Sequence, residues 1–459
     1  MSEFSQKNIL VAGLGKSGLA ALRLLAREQA GLYAWDAKKK GSFSSENLAE
    51  LERLGVVCFF EGDTPDIGMD MVVTSPGLPL DAPVLMEASE RGVEIIGELE
   101  LAYRLSHCPF IAITGTNGKT TTTSLVGDMF RLAGAAHAVV GNIGYPASDA
   151  VLHETGEETM ITEVSSFQLE TIADFRPRIA ALLNVAPDHL DRHGSLEEYK
   201  RIKFRLFQNQ TAGDACVYNA DDPLCAELLK SGLAARAFPF STRQLSGAGA
   251  FVQGSRMVLS DGEAMHIDLG SLRQLKLLGT HNISNALAAA AVAYIAGVPV
   301  RYIRESLRTF AGLPHRFQHV ADIAGVSYID DSKGTNPAAS AQAIRSAGRP
   351  IVLIAGGYEK QADFKEFTDT FPGRVRHVLL LGDTAARIAE SAIDSGFPGD
   401  NLHFCSDMAQ CVAAAKRLSE AGDIVLLSPA CASWGMYSNF EERGLHFQSL
   451  VHKLASAGD

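Results

Sequence analysis

The stretch Phe110-Ile-Ala-Ile-Thr-Gly-Thr-Asn-Gly-Lys-Thr-Thr-Thr-Thr-Ser-Leu125 constrains this chain more than any other. Phe110 to Thr114 is a short apolar, β-branched run, Gly115 to Gly118 a flexible turn, and Lys119 onward an amphipathic segment that opens on hydroxyls. That order is strand, loop, helix. Backbone N–H groups of such a loop, at the positive end of a helix dipole, cradle phosphate oxygens. Lys119 adds a point charge for the β- and γ-phosphates, and Thr120 offers a hydroxyl to Mg2+. Threonines 120 to 123 are poor interior helix formers but acceptable in a first turn, where hydroxyls serve orphan groups or a ligand. The general phosphate-loop pattern has glycine where Ile113 stands, so this loop is a shortened variant. The alternative is a Gly-rich turn beside a surface lysine.

The 459 residues suffice for two to four domains, and 46% hydrophobic with 20% charged residues describes an ordinary globular protein. A net charge of −12 argues against a nucleic-acid partner, so a phosphate-bearing substrate must be met by locally placed Lys and Arg. Met1 to Lys7 lacks the charged-then-apolar pattern of a signal peptide, and no apolar run is long enough for a bilayer. A cytoplasmic protein without membrane partners is therefore expected, and it is taken as a monomer. The seven cysteines include no C-x-x-C pair, as suits reduced thiols.

Along the chain, Asn8 to Ala12 followed by Gly13-Leu-Gly15-Lys16-Ser17-Gly18 reads as strand, G-x-G-x-x-G turn and helix, with a second strand ending at Asp36. These glycines suit NAD or any other diphosphate, and Asp36 suits a ribose hydroxyl or a base. Met71 to Thr74 is another strand, running into a tight turn at Ser75-Pro76-Gly77. In the second unit Glu163 ends a β-branched strand, where ligands bind in open α/β sheets; it is either a magnesium ligand or a plain polar residue. His189 and His193 stand four apart among Asp188 and Asp191, so metal binding is one reading of them. Ser195 opens a capping box on a helix whose Lys203 reads, on first principles, as a solvated lysine. Residues 234–275 read as small hairpins around Asp261-Gly262, and amide side chains open a helix near Asn282. Gly312 and Pro314 mark a boundary, after which strands alternate with helices, and Asp331, Lys333 and Lys360 directly follow strands.

Six motifs together resemble one family: Gly115-Thr-Asn-Gly-Lys-Thr, Glu163-Val-Ser-Ser, Asp188-His-Leu-Asp-Arg-His, Leu313-Pro-His-Arg-Phe, Asp331-Ser-Lys-Gly-Thr-Asn and Ser428-Pro-Ala-Cys-Ala-Ser. They run over essentially the whole chain in matching order and resemble the Mur ligases of peptidoglycan synthesis. The Asp331 and Ser428 motifs are most like those of the branch that adds D-glutamate. The resemblance implies an α/β protein of three domains, each built on a mostly parallel sheet flanked by helices. Residues 1–97 would be a Rossmann-like domain for the UDP substrate, 98–312 a phosphate-loop ATPase-like domain, and 313–459 a Rossmann-like domain for the incoming amino acid. The implied reaction adds D-glutamate to UDP-N-acetylmuramoyl-L-alanine through an acyl phosphate, at the expense of ATP.

By the same resemblance, Gly115, Thr116, Asn117, Gly118, Lys119, Thr120, Thr121, Asn282, Arg316 and Asp331 would bind ATP. Two Mg2+ ions would be served by Thr120, Glu163, His189 and Lys203, the last as a carbamate formed with CO2. That assignment reverses the solvated reading of Lys203. Lys119, Glu163, His189, Lys203 and Lys333 would carry the chemistry. Gly15, Lys16, Ser17, Asp36, Lys38, Gly77, Asn142, Ser165 and His189 would hold the UDP substrate. Thr335, Lys360, Ser433 and Phe440 would hold D-glutamate. Lys38 stands where the family has an arginine-like neighbour of uracil, and Trp434 where it is usually aliphatic. The rival classes are a nicotinamide dehydrogenase, resting on Gly13 to Asp36 alone, a ligase of this fold with another acceptor, and a non-enzymatic nucleotide-binding regulator.

Overall fold

A computed structural model describes residues 2–65, 67–262, 266–277, 281–358 and 362–456. They form three sheets, and the chain divides into two compact units. One unit comprises 1–274 with 284–309 and carries the first two sheets; the other comprises 275–283 with 310–459 and carries the third.

The first sheet consists of β1 (Asn8–Ala12), β2 (Gly31–Trp35), β3 (Val57–Phe59), β4 (Met71–Thr74) and β5 (Glu94–Gly97), in the order β3-β2-β1-β4-β5. All its pairings are parallel, and β4 is buried throughout. A strand covered on both faces reads as a continuous apolar run, which is why β1 and β4 stand out in the sequence. The exposed start of β3 gives it no such signal. The turn after β1 requires glycine twice: Gly13 has φ 94°, and a Cβ on Gly18 would lie 1.8 Å from the Gly13 carbonyl oxygen.

Helix Glu98–Leu105 leads out of this sheet. Its Glu100 is fully buried and accepts from the backbone N–H groups of Ala173, Asp174 and Phe175 at 2.8 to 3.0 Å. Glu98, 1% exposed, accepts from Ser148 N at 2.6 Å, and burial pushes its carboxyl up to about 7. Its folded pKa thus lies above the 4.5 of a free glutamate, so ionising it costs stability as pH rises from 4.5 through about 7. Glu98→Gln keeps the acceptor for Ser148 and removes the ionisation. Chemical denaturation should find the variant about 3 kcal/mol more stable than wild type at pH 8, with no advantage at pH 4.

The second sheet comprises β6 (Phe110–Thr114), β7 (His137–Gly141), β8 (Thr159–Glu163), β9 (Ile179–Leu182), β10 (Ala215–Asn219), β11 (Arg236–Ser241), β12 (Gly249–Gln253), β13 (Arg256–Ser260) and β14 (His266–Ser271). Its order is β14-β13-β12-β11-β10-β9-β6-β8-β7. Strands β6 to β12 pair in parallel, while β12, β13 and β14 form antiparallel hairpins. The expectation of hairpins over 234–275 therefore holds from Gly249 onward, with Gly262 at φ 90° in the last connection. It fails for β11, a parallel strand whose Phe238 and Phe240 are buried. Every residue of β6 is buried, and β6 lies between β8 and β9. Its successor in the chain, β7, sits beyond β8, so the chain leaves β6 to one side and returns on the other. Ligands bind at the carboxyl ends of strands at such a switch point.

The third sheet comprises β15 (Gln318–Ile323), β16 (Val326–Asp330), β17 (Ile351–Ala355), β18 (Val375–Leu380), β19 (Leu402–Phe404) and β20 (Ile424–Leu427), ordered β15-β16-β20-β17-β18-β19. Only the β15–β16 pairing is antiparallel. Strands β16, β17 and β20 are wholly buried, because separate apolar clusters cover the two faces.

Candidate active site

The phosphate loop is shaped by contacts that leave little room for other sequences. Gly118 caps helix Lys119–Ala133 with φ 83°, and a Cβ there would come within 2.2 Å of Asn285 Oδ1. At Gly115 a Cβ would lie 2.9 Å from that of Leu183. Beyond β9, Asn184 clasps the loop: its carbonyl accepts from Thr116 N (3.0 Å), its Oδ1 from Asn117 N (2.8 Å), and its Nδ2 donates to Asn117 O (3.0 Å). Thr116 is buried, its hydroxyl lying between the Ala186 backbone and Tyr199 OH.

Two amines converge on the same carbonyl. Lys119 Nζ donates to Gly115 O at 2.9 Å and Thr116 O at 2.8 Å, while Lys203 Nζ donates to Gly115 O at 2.9 Å. Lys203 has no exposed surface and lies 4.4 Å from the centroid of the Tyr199 ring. The reading of Lys203 as a solvated lysine is thereby overturned: its position in the helix Leu196–Phe204 turns it inward, toward the loop. Burial above all, with Lys119 adding repulsion, holds its pKa well below the usual lysine range.

Glu163 ends β8 next to β6 and is 1% exposed. Its Oε1 accepts from Asn142 Nδ2 at 2.6 Å, while its buried Oε2 has no hydrogen-bond partner among the described residues. A buried, unpaired carboxylate oxygen is costly, and a metal ion is one way to satisfy it. Thr120 and Thr121 occupy the first turn of the adjoining helix, both partly exposed.

His189 is half exposed and caps helix Leu190–His193 in the left-handed region, φ 51°. Its ring lies 4.8 Å from that of Phe167. His193 does not join it as a ligand. It is buried, with Nε2 3.0 Å from Ser166 Oγ and Nδ1 3.3 Å from Glu170, so both ring nitrogens are committed. Burial lowers its pKa. The side chain of Asp191 lies outside the described residues, and among those described no group of three or more His, Cys, Asp or Glu forms a metal cage.

In the first sheet, Gly15 caps helix Lys16–Ala26, with Lys16 exposed, Ser17 half-buried and Lys38 exposed. The two oxygens of Asp36 accept from Leu14 N (2.7 Å) and Lys38 N (2.9 Å), fixing the glycine turn. Ser165 is partly exposed, and its hydroxyl accepts from Gln168 N in a capping box. Exposed Gly77 lies between Pro76 and Leu78, whose carbonyls accept from Arg192 at 3.3 and 3.4 Å.

The second unit gathers its own cluster. Arg316 lies between two non-glycine residues of positive φ, His315 (61°) and Phe317 (46°). The His315 ring against Asp330 (2.7 Å) and Phe317 N against Asp331 Oδ1 (3.1 Å) hold that strained segment. Asp331 also accepts from Ser428 Oγ at 2.7 Å, and burial pushes its carboxyl up to about 7. Lys333 Nζ sits 4.0 Å from the Phe440 ring centroid, so these two are brought together. Thr335 is half-buried two residues on, and Ser433 is buried below exposed Trp434. Asn282 is buried at the start of helix His281–Ile295, and Lys360 lies outside the described residues.

Three contributors escaped the sequence reading. Asn184 and Asn285 shape the phosphate loop from distant segments, and the latter's place among amides at a helix start was the available signal. Arg443 had none. Only 2% exposed, it donates to Ser332 Oγ, Ser332 O and Cys431 O at 2.8 to 3.0 Å, fastening the Asp331 and Ser428 loops to helix Phe440–Ser456. Its burial lowers the guanidinium pKa to about 10. Arg443→Met strands those acceptors in the interior, and urea unfolding should show a loss of about 3 kcal/mol.

Comparison with known proteins agrees with this architecture. Residues 7–97 match the Mur ligase MurD-like N-terminal domain, 113–293 the Mur ligase middle domain and 315–431 the Mur ligase glutamate ligase domain. The UDP-N-acetylmuramoylalanine–D-glutamate ligase of Caldanaerobacter subterraneus subsp. tengcongensis is 44% identical over 454 residues, covering 98% of this chain and 99% of its own. That of Clostridioides difficile is 41% identical over 451 residues, with the same coverages of 98% and 99%. In fold, the chain is similar to the UDP-N-acetylmuramate-alanine ligase MurC of Thermotoga maritima, with TM-score 0.58, 20% identity, and 98% and 100% of the two chains covered. It is also similar to MurF of Acinetobacter baumannii, with TM-score 0.58, 16% identity, and 98% and 93% covered. With three domain matches in order and relatives of this identity over nearly the full length, the chain belongs to the Mur ligase family.

Proposed function

We propose that this chain joins D-glutamate to UDP-N-acetylmuramoyl-L-alanine, with hydrolysis of ATP to ADP and phosphate, in the cytoplasmic assembly of peptidoglycan precursors. Residues 1–97 would take the UDP substrate, 98–312 ATP and 313–459 the amino acid. The observation that carries the reading is the convergence of Lys119 and Lys203 on the Gly115 carbonyl at the end of β6, with neighbouring β8 ending on Glu163, whose buried Oε2 has no partner among the described residues. A carboxylate approaching a triphosphate is like charge against like, so the site must gather cations and preorganised donors. The loop amides and Lys119 would bind the β- and γ-phosphates, and the L-alanyl carboxylate would take the γ-phosphoryl group to become an acyl phosphate. The amine of D-glutamate then attacks that carbonyl and phosphate leaves.

Thr120 and Glu163 suit one magnesium site, and His189 with Lys203 the other; the metal, when bound, supplies charge against the phosphate oxygens. Lys203 fits carbamylation because its buried amine is held below the usual range, and only the neutral amine adds CO2, with release of one proton. Arg316, Asp331 and Lys333 would serve ATP and the acyl phosphate, and Thr335, Ser433, Phe440 and Lys360 D-glutamate. Among the described residues no helix is long and apolar enough to cross a membrane.

Phosphate release from ATP in the presence of UDP-N-acetylmuramoyl-L-alanine tests the proposal. D-glutamate should stimulate release and L-glutamate should not; stimulation by another amino acid alone would assign a different acceptor. Saturable NADH binding, with no phosphate release, would favour the dehydrogenase reading instead.

A further inference from the structure

The turn that presents His189 is held in a conformation that few non-glycine residues adopt. His189 has φ 51° and ψ 36°, and its carbonyl accepts from both Arg192 N (3.1 Å) and His193 N (3.0 Å). A left-handed non-glycine residue persists only where its surroundings over-determine it. Here the surroundings are a chain of polar contacts behind the turn. Arg192 grips Glu170 with Nη2 (2.5 Å) and Nε (3.2 Å), Glu170 Oε1 faces His193 Nδ1 (3.3 Å), and His193 Nε2 faces Ser166 Oγ (3.0 Å). A carboxylate against Nδ1 places the ring proton there, which leaves Nε2 to accept from the Ser166 hydroxyl. Phe167 completes the cluster: its ring lies 4.8 Å from that of His189, 5.6 Å from that of His193 and 4.3 Å from the Arg192 guanidinium.

Ser166, His193 and Glu170 share the connectivity of a hydrolytic triad, but Ser166 is only 4% exposed, which bars a substrate from its hydroxyl. The same connectivity serves to fix orientation. Ser166 lies three residues after Glu163 on the segment leaving β8, and His193 four after His189. The hydrogen bond between them therefore ties together the two segments that carry these groups.

We infer that His193 is a positioning residue: clamped between Glu170 and Ser166, it sets His189 relative to Glu163 and thereby the second magnesium site. This rests on the proposed ligase reading for the metal's role, though not for the geometry. His193→Phe preserves ring packing against Phe167 and removes both polar contacts. His193→Asn keeps a donor near the Nδ1 position. Loss of a group that orients a metal ligand typically weakens metal affinity about tenfold or more.

Mn2+ binding, followed by electron paramagnetic resonance on full-length protein with a non-hydrolysable ATP analogue, gives a readout that does not need turnover. His193→Phe should weaken the second Mn2+ by about tenfold, His193→Asn should recover part of that affinity, and in a His189→Ala background His193→Phe should change nothing further. Half-saturating Mg2+ for phosphate release should rise in step, with KM for D-glutamate unchanged. Should His193→Phe fail to fold, Glu170→Gln is the substitute and should show the same shift. Wild-type Mn2+ affinity in the folded variant, whatever its melting temperature, overturns the inference, as does an equal added loss in the His189→Ala background. Failure of the wild-type protein to release phosphate with D-glutamate would instead contradict the ligase reading and leave the Mn2+ comparison intact.

Discussion

Lys203→Ala should lower kcat by about three orders of magnitude, with formate or another short carboxylate restoring part of the rate. The expectation follows from what surrounds this amine. It is fully buried, faces the Gly115 carbonyl and stands beside a second amine, Lys119. Burial above all disfavours the charged form of Lys203, and Lys119 at the same carbonyl adds repulsion, so its amine gives up its proton more readily than an ordinary lysine does. Carbamylation, as proposed, would exchange that amine for an anion able to hold a cation. Truncation would then remove the anion and leave a space that a small carboxylate of the right charge can occupy. Steady-state rates of Lys203→Ala with and without formate check this. A variant with full activity would remove Lys203 from the reaction. One with lost activity that no carboxylate restores would leave Lys203 a structural support of the loop.

Lys119→Ala should be at least as damaging, lowering kcat/KM for ATP by about three orders of magnitude. Without ligand its ammonium bonds to the carbonyls of Gly115 and Thr116, which orient it along the loop without neutralising its charge. Arginine is no substitute, since a planar fork cannot serve two adjacent carbonyls and a phosphate from the position of a compact ammonium. Lys119→Arg should therefore recover nucleotide binding in part and little of kcat. Isothermal titration with a non-hydrolysable analogue separates binding from turnover.

The phosphate loop was legible because its function and its backbone are the same thing. Glycines at 115 and 118 are demanded by neighbours 2.9 Å and 2.2 Å from where a Cβ would stand, so the ligand cradle and the sequence signature coincide. Strands β1, β6 and β17 were legible for the plainer reason that burial on both faces imposes an apolar run. Lys203 was misread from helix pattern alone, since a lysine turned inward differs from one turned outward only in what the rest of the fold places beside it. Asp36 and Ser165 are polar residues at the expected strand and helix ends, and their oxygens also serve backbone amides, a use the sequence does not reveal. Nothing local separates an acceptor for an N–H from an acceptor for a substrate. Arg443 was invisible for a similar reason: its partners, Ser332 and Cys431, belong to segments that meet only in the folded sheet.

In the reaction proposed here, the amines and loop amides at the tip of β6, with Glu163 at the end of neighbouring β8, hold the triphosphate for reaction with a second anion. A crystal grown with a non-hydrolysable ATP analogue and Mg2+ tests it most directly. The β- and γ-phosphates should lie on the amides of 115–120 and on Lys119 Nζ, with a cation against Glu163 Oε2. An empty loop, with the nucleotide bound elsewhere, would contradict it.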